Sequence, residues 1–155
     1  MERLDSDNLA ALLEISREAG KAVLDVYHSD FAVENKEDKS PLTLADKKSH
    51  EILSAFLGKH SSFPVLSEEG KDIPYRERKN WERFWLIDPL DGTKEFVKRN
   101  GEFTVNVALI RRGKPVAGII YAPVKDVLYH AVQGMGAYKI EGGRTSRLPG
   151  QDGSG

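Results

Sequence analysis

The run Phe84-Trp85-Leu86-Ile87-Asp88-Pro89-Leu90-Asp91-Gly92-Thr93-Lys94-Glu95-Phe96 constrains the fold more than any other part of this chain. Phe84 to Ile87 is apolar and strand-forming, as a buried strand requires. Asp88 and Asp91 then stand three apart on either side of a proline, and Pro89 fixes one φ between them. The pattern predicts a buried strand that ends in an acidic, stiffened turn. Such a turn suits Mg²⁺, which takes oxygen ligands and keeps part of its water shell. A site of that kind supports phosphoryl chemistry. The bland alternative is an ordinary β-turn, since Pro, Asp and Gly are turn residues. Thr93 directly after the glycine, and Glu68-Glu69 upstream, weigh toward the functional reading.

The rest of the chain reads as helix, strand, helix and then β structure, an α+β order. Residues 7–28 have helical periodicity, with Leu9, Leu12, Leu13, Ala19, Val23 and Val26 on one face and Asp5, Ser6 and Asp7 as start signals. Residues 31–36 read as a short strand. A second helix is predicted over 44–59, with Thr43 and Asp46 at capping-box spacing and Leu44, Ile52, Leu53, Phe56 and Leu57 toward the core. Pro64 to Ser67 is a strand that delivers Glu68 and Glu69, and Gly70 ends it. Residues 71–83 are a charged connection, read as an exposed loop or flap. Strands follow at Thr104–Arg111, Val116–Tyr121, Val127–Val132 and Ala137–Ile140. From Gly142 the chain is polar and Gly-rich and reads as a fraying end. The expected organisation is one α+β domain over 1–148 and a polar tail over 149–155.

Composition narrows the function. The 155 residues suffice for one domain with a real core. A net charge of −1 gives no basic field for a nucleic-acid polymer. With no cysteine there is no disulfide framework, thiolate zinc site or thiol nucleophile, which fits a cytoplasmic protein. The acidic start is unlike a signal peptide, and no apolar run approaches the roughly 20 residues of a membrane span. His28, His50, His60 and His130 share no ligand spacing and read as surface or packing residues. Trp81 and Trp85 read as packing, and Lys94, Lys98 and Arg99 as a solvated basic face.

Known phosphate and cation motifs fail here. An EF-hand counted back from Gly92 would put Ile87 at its first ligand position. A P-loop needs Gly-Lys-Ser/Thr, whereas this order is Asp-Gly-Thr-Lys. The aspartyl-phosphate motif of haloacid-dehalogenase phosphatases, Asp-x-Asp-Gly-Thr, is one residue shorter and has no proline inside.

The segment from Asp88 to Phe96 resembles the signature of the inositol monophosphatase superfamily, Asp-Pro-[Ile/Leu]-Asp-Gly-Thr-x-x-Phe. Glu-Glu-Gly at 68–70 and Thr-x-x-Asp at 43–46 stand in that family's order, and the resemblance covers residues 5–148. Residues 94–110 look like the CysQ-type 3′(2′),5′-bisphosphate nucleotidases within it. The resemblance implies a layered α/β sandwich of the sugar-phosphatase kind, here two helices on a mostly antiparallel sheet. It implies two or more Mg²⁺ ions held by Glu68, Asp88, the Leu90 carbonyl and Asp91. It implies that Asp46 and Thr93 activate water, and that the Gly92 and Thr93 N–H groups hold phosphate. The implied substrate is 3′-phosphoadenosine 5′-phosphate, or its 5′-phosphosulfate, and the products of the first are AMP and phosphate. The implied setting is sulfate assimilation. For Asp46 taken alone, helix capping is the simpler reading.

Members of that family continue into a second α/β half, which supplies a further metal-binding Asp after a Trp. Here Trp81 precedes Glu82 and Trp85 precedes Leu86, so that motif is missing. The expectation is an N-terminal half with impaired activity, whose uncovered apolar face invites self-association. The alternatives are an inositol phosphate or fructose 1,6-bisphosphate phosphatase of the same superfamily, or a non-catalytic metal-binding remnant.

Overall fold

The computed structural model describes residues 4–29, 40–67 and 75–149. The strand expected at 31–36, and Glu68, Glu69 and Gly70, lie outside them.

Helix α1 runs from Ser6 to Tyr27, and its N-cap Asp5 accepts a hydrogen bond from the Asn8 N–H at 2.9 Å. Its buried row is Leu12, Ser16, Ala19, Gly20, Val23 and Val26, while Leu9 and Leu13 are half-buried. The small residues in that row allow close approach to the sheet. A Cβ on Gly20 would overlap the Tyr121 ring. Ser16 satisfies its hydroxyl by donating to the Leu12 carbonyl at 2.9 Å.

Helix α2 spans Pro41–His60 and begins three residues before its predicted start. Ser40 is the N-cap, with its Oγ accepting from the Thr43 N–H at 3.0 Å. Pro41 takes the first helical position, where a missing N–H costs nothing. The capping box read at Thr43 and Asp46 is therefore not formed, and Asp46 is an interior helical residue. The buried row is Ala45, Ser49, Leu53 and Leu57, with Ile52 and Phe56 half-buried beside it. Leu44 lies one position off that row and is 45% exposed, so it is not a core residue.

Among the described residues seven strands form one sheet in sequential order: β1 (Val65–Ser67), β2 (Arg83–Asp91), β3 (Thr104–Arg111), β4 (Lys114–Ala122), β5 (Val127–Val132), β6 (Gly136–Glu141) and β7 (Arg144–Arg147). Only β1 and β2 are parallel. A short helix α3 (Tyr75–Arg78) interrupts the connection expected to be a loop, and α4 (Thr93–Lys98) follows β2. β7 corrects the expected fraying from Gly142. Gly142 and Gly143, both at positive φ, form a two-residue turn that sends the chain back along β6, with Glu141 opposite Arg144. All four β7 side chains are exposed, so no hydrophobic alternation marks it in the sequence.

α1 packs on β3 and β4, and α2 on β1 and β2. Between them and the sheet lies the core, with Leu12, Leu53, Leu57, Trp85, Ile87, Phe96 and Phe103 almost fully buried. Each such large side chain contributes about 1.5–3 kcal/mol relative to exposure. The opposite sheet face is not covered by any described element. Leu86, Ile120 and Tyr129 are exposed there, around a depression of about 450 Å³ that reaches Asp88 and Asn106. No described helix is long and apolar enough to cross a membrane.

Candidate active site

Residues three apart on a regular strand point to opposite faces. Asp88 and Asp91 escape that rule through the register of β2. Asp88 pairs with Asn106 and Asp91 with Thr104, so three steps on β2 match two on β3. This is a β-bulge, with one extra residue on the bulged strand. Trp85 and Ile87 face the helices, but Pro89 and Leu90 are then both buried in succession. The alternation slips by one, and Asp91 returns to the face that already carries Asp88. Asp88 lines the open-face depression beside Asn106, and Asn106 Nδ2 donates to Asp91 Oδ2 at 3.0 Å. Pro89 stands in the bulge, where it is tolerated without an N–H. The expected turn is thus part of the strand, and the β-turn alternative does not apply.

Gly92 then turns the chain into α4 with φ 92° and ψ 51°. That is left-handed backbone, which glycine adopts without steric cost. A Cβ there would sit 3.3 Å from Phe103 Cα and 3.5 Å from the Glu102 carbonyl oxygen. No side chain caps this helix start. Thr93 is exposed at its first position, beside the exposed Asp91. Phe96 anchors α4 from below, with its ring 5.3 Å from Phe103 and 5.4 Å from Tyr27. Aromatic pairs of this kind add about 0.5–1.5 kcal/mol each beyond burial. Lys94 and Lys98 are exposed, as the solvated reading expects. Arg99 instead donates from Nη2 to the Ser29 carbonyl at 3.1 Å and lies over the Tyr27 ring, tying α4 to the end of α1.

Asp46 is half-buried on α2, and its Oδ1 is out of contact with solvent. α2 packs against β1, β2 and α4, which brings Asp46's helix to the elements that carry Asp88, Asp91 and Thr93. One turn after Asp46, His50 Nδ1 shares a 2.8 Å hydrogen bond with Ser67 Oγ. It pins α2 to the end of β1, the residue before Glu68. In the sequence His50 reads as a surface or packing histidine, and its local signal is the i, i+4 relation to Asp46.

Asn106 and Thr104 were also missed. Thr104 Oγ1 donates to Asn106 Oδ1 at 2.9 Å, so three side chains form a chain ending on Asp91. Trp85, Trp81 and His130 make packing contacts, whereas His28 and His60 are exposed. Trp85 Nε1 donates to Ser61 Oγ at 3.0 Å, and Trp81 is tilted against Phe84. His130 stacks on Tyr138, its cross-strand partner, and burial, then the charge of Arg17, pushes its pKa below 6.5.

Among the described residues no three His, Cys, Asp or Glu side chains converge as metal ligands. Asp88 and Asp91 do share a face, and their donors are all oxygens, the type that Mg²⁺ takes. The structure brings together Asp88, Leu90, Asp91, Gly92 and Thr93 and sets Asp46 on an adjoining helix, while Glu68 lies outside the described residues.

The family model described as the inositol monophosphatase family matches residues 5–153. A protein of Salmonella typhimurium named 3′(2′),5′-bisphosphate nucleotidase CysQ is 48% identical, over 93% of this chain and 59% of its own length. The crystal structure of CysQ from Bacteroides thetaiotaomicron, described as a bacterial member of the inositol monophosphatase family, superposes with a TM-score of 0.85 at 45% identity, covering 94% of this chain and 59% of that one. Inositol monophosphatase II from Staphylococcus aureus gives a TM-score of 0.72 at 27% identity, over 95% and 52%. This chain therefore spans about three-fifths of the length of the curated relative it matches. With the bulged strand, its two aspartates and the short helix all inside the matched region, the chain belongs to the inositol monophosphatase family.

Proposed function

We propose that this chain carries the metal and phosphate site of a Mg²⁺-dependent phosphomonoester hydrolase that removes the 3′-phosphate of 3′-phosphoadenosine 5′-phosphate. The observation that carries the reading is the β2 bulge, which sets Asp88 and Asp91 on one face directly before Gly92 and Thr93. The nucleotide as substrate is supported by the names of the CysQ relatives. Glu68, Asp88, Asp91 and the Leu90 carbonyl hold two Mg²⁺ ions in this reading. When bound, the ions supply Lewis-acid charge for the phosphate oxygens and acidify water.

The chain's own groups then have defined tasks. The Gly92 and Thr93 N–H groups hold the phosphate. Thr93 and Asp46 orient a water, and Asp46 takes its proton as general base. The water oxygen bonds to phosphorus while the bond to the ribose 3′ oxygen breaks. The 3′ oxygen leaves and takes its proton from solvent, while Asp46 returns to solvent the proton it took from the attacking water, giving AMP and inorganic phosphate without a covalent enzyme intermediate. Residues 1–148 act as one metal-binding domain, in a cytoplasmic setting that clears this by-product of sulfate assimilation.

The test is Mg²⁺-dependent phosphate release from 3′-phosphoadenosine 5′-phosphate by this chain and its Asp91→Asn variant. Release that disappears in the variant supports the reading. Release only from inositol phosphate or fructose 1,6-bisphosphate moves the substrate within the family. Metal binding with no turnover leaves a non-catalytic metal-binding chain. An aspartyl-phosphate trapped by borohydride during turnover would refute the mechanism. The open sheet face, with Leu86, Ile120 and Tyr129 exposed, is proposed to pair with a second copy. Sedimentation velocity should then show a concentration-dependent dimer that Ile120→Lys abolishes, and a monomer at every concentration counts against it.

A further inference from the structure

We infer that Asn106, held by Thr104, is a positioning residue that aims the Asp91 carboxylate at a divalent cation. The inference rests on the metal reading of Asp88 and Asp91. Asn106 interrupts an otherwise apolar and β-branched strand, Thr104-Val105-Asn106-Val107-Ala108-Leu109-Ile110. Asparagine is depleted in strands, so pairing alone does not account for it. Its backbone is opposite Asp88, and its side chain reaches Asp91 across the bulge.

An amide can face a carboxylate in two ways. With Nδ2 toward Asp91 it donates a charge-assisted hydrogen bond, and with Oδ1 toward Asp91 it repels. The carboxylate decides between them, because it can only accept, and Nδ2 reaches Asp91 Oδ2 at 3.0 Å. The Thr104 hydroxyl then donates to the Asn106 Oδ1 left on the other side, at 2.9 Å, and braces the amide in that orientation. One oxygen of Asp91 is thereby fixed to the sheet, and the other is turned to a fixed direction. Thr104 and Asn106 are the two β3 residues opposite Asp91 and Asp88, so the orienting pair is built into the register that creates the bulge. Outer partners of this kind set the geometry and basicity of a ligand without touching the metal.

The experiment uses Mn²⁺ as the probe. Its free electron-paramagnetic signal is titrated against the whole chain, Asn106→Leu and Thr104→Val, and each protein is also melted in chelator. Asn106→Leu is expected to weaken Mn²⁺ binding about tenfold or more, and Thr104→Val by a smaller factor, with metal-free melting close to wild type. A purely structural role moves the melting temperature and not the affinity of the folded protein. If Asn106→Leu fails to fold, Thr104→Val carries the test, since it keeps the amide and removes only its lock. Folded variants that bind Mn²⁺ as tightly as wild type overturn the inference. A folded wild type that binds no Mn²⁺ overturns the metal reading itself, and that outcome needs no variant.

Discussion

Gly92→Ala puts the junction between β2 and α4 under a test whose size follows from two terms. The first is backbone. Gly92 has φ 92° and ψ 51°, and an L-residue in left-handed backbone costs about 1–2 kcal/mol. The second is contact. The new Cβ meets Glu95 Oε1 at 3.1 Å, Phe103 Cα at 3.3 Å and the Glu102 carbonyl oxygen at 3.5 Å. The glutamate can swing away. The backbone at Phe103 cannot, because its fully buried ring is wedged against Phe96 and Tyr27. Overpacking of this kind adds about 1–3 kcal/mol. A total of about 3 kcal/mol lowers the melting temperature of a domain this size by about 6–12 °C. Gly113→Ala is the control. Gly113 also has positive φ, at 78°, but no atom lies within 4 Å of its would-be Cβ. It carries only the first term, about 1.5 kcal/mol or about 3–6 °C. Thermal and urea denaturation of both variants decide the matter. Equal losses would show that Phe103 does not confine Gly92, and no loss in either would refute the left-handed backbone. Asp91 and Thr93 flank Gly92, so under the proposed function phosphate release falls in Gly92→Ala and persists in Gly113→Ala.

Ser40→Ala removes the acceptor for the Thr43 N–H, and loss of such a cap costs about 1 kcal/mol, or about 2–4 °C by thermal melting. Thr43→Ala keeps that backbone bond and should cost less. The His130 pKa is lowered from 6.5, chiefly by burial, so the folded state favours the neutral ring. Its contribution is fully present above pH 6.5 and is lost as pH falls through the depressed folded value. By urea midpoints, wild type should therefore lose more stability between pH 7 and pH 5 than His130→Gln does, and equal losses would count against it. Phe96→Ala should cost about 3–5 kcal/mol through the cavity left under α4, measured by urea unfolding. A loss under about 1 kcal/mol would mean that Phe96 does not anchor that helix.

Much of the fold is legible because burial leaves a period. α1 repeats, and β3 and most of β4 alternate, as their buried faces require. Where burial leaves no period, the sequence is silent. β7 is exposed at all four positions, and the glycine pair before it reads equally well as a loose end. The start of α2 is hidden because Ser40-Pro41 reads as the close of a loop, although the same two residues suit an N-cap and a first helical turn. Asp88, Asp91, Gly92 and Thr93 stand out because their types are unusual together. Their supports do not, since each acts over a distance in sequence that no local pattern marks. Asn106 reaches Asp91 across 15 residues, and His50 reaches Ser67 across 17.

The bulge also explains why the two aspartates stand three apart. Two apart, they would share a face on a regular strand, but the residue between them would stay within the ladder. Three apart on a regular strand, one of them would point into the helices, where Trp85 and Ile87 lie. Three apart with one residue bulged, both reach the open face, and the register is broken between Asp88 and Asp91. A residue without an N–H is suited to that gap, and Pro89 fills it. Leu90 takes the extra buried place and keeps the strand seated on the core, at 2% exposure. Gly92 then supplies the backbone that starts α4 immediately after the second aspartate. Each letter of Asp-Pro-Leu-Asp-Gly thus answers one requirement of a single geometric problem: two carboxylates on one face and a helix start beside them, at the end of a strand that stays buried.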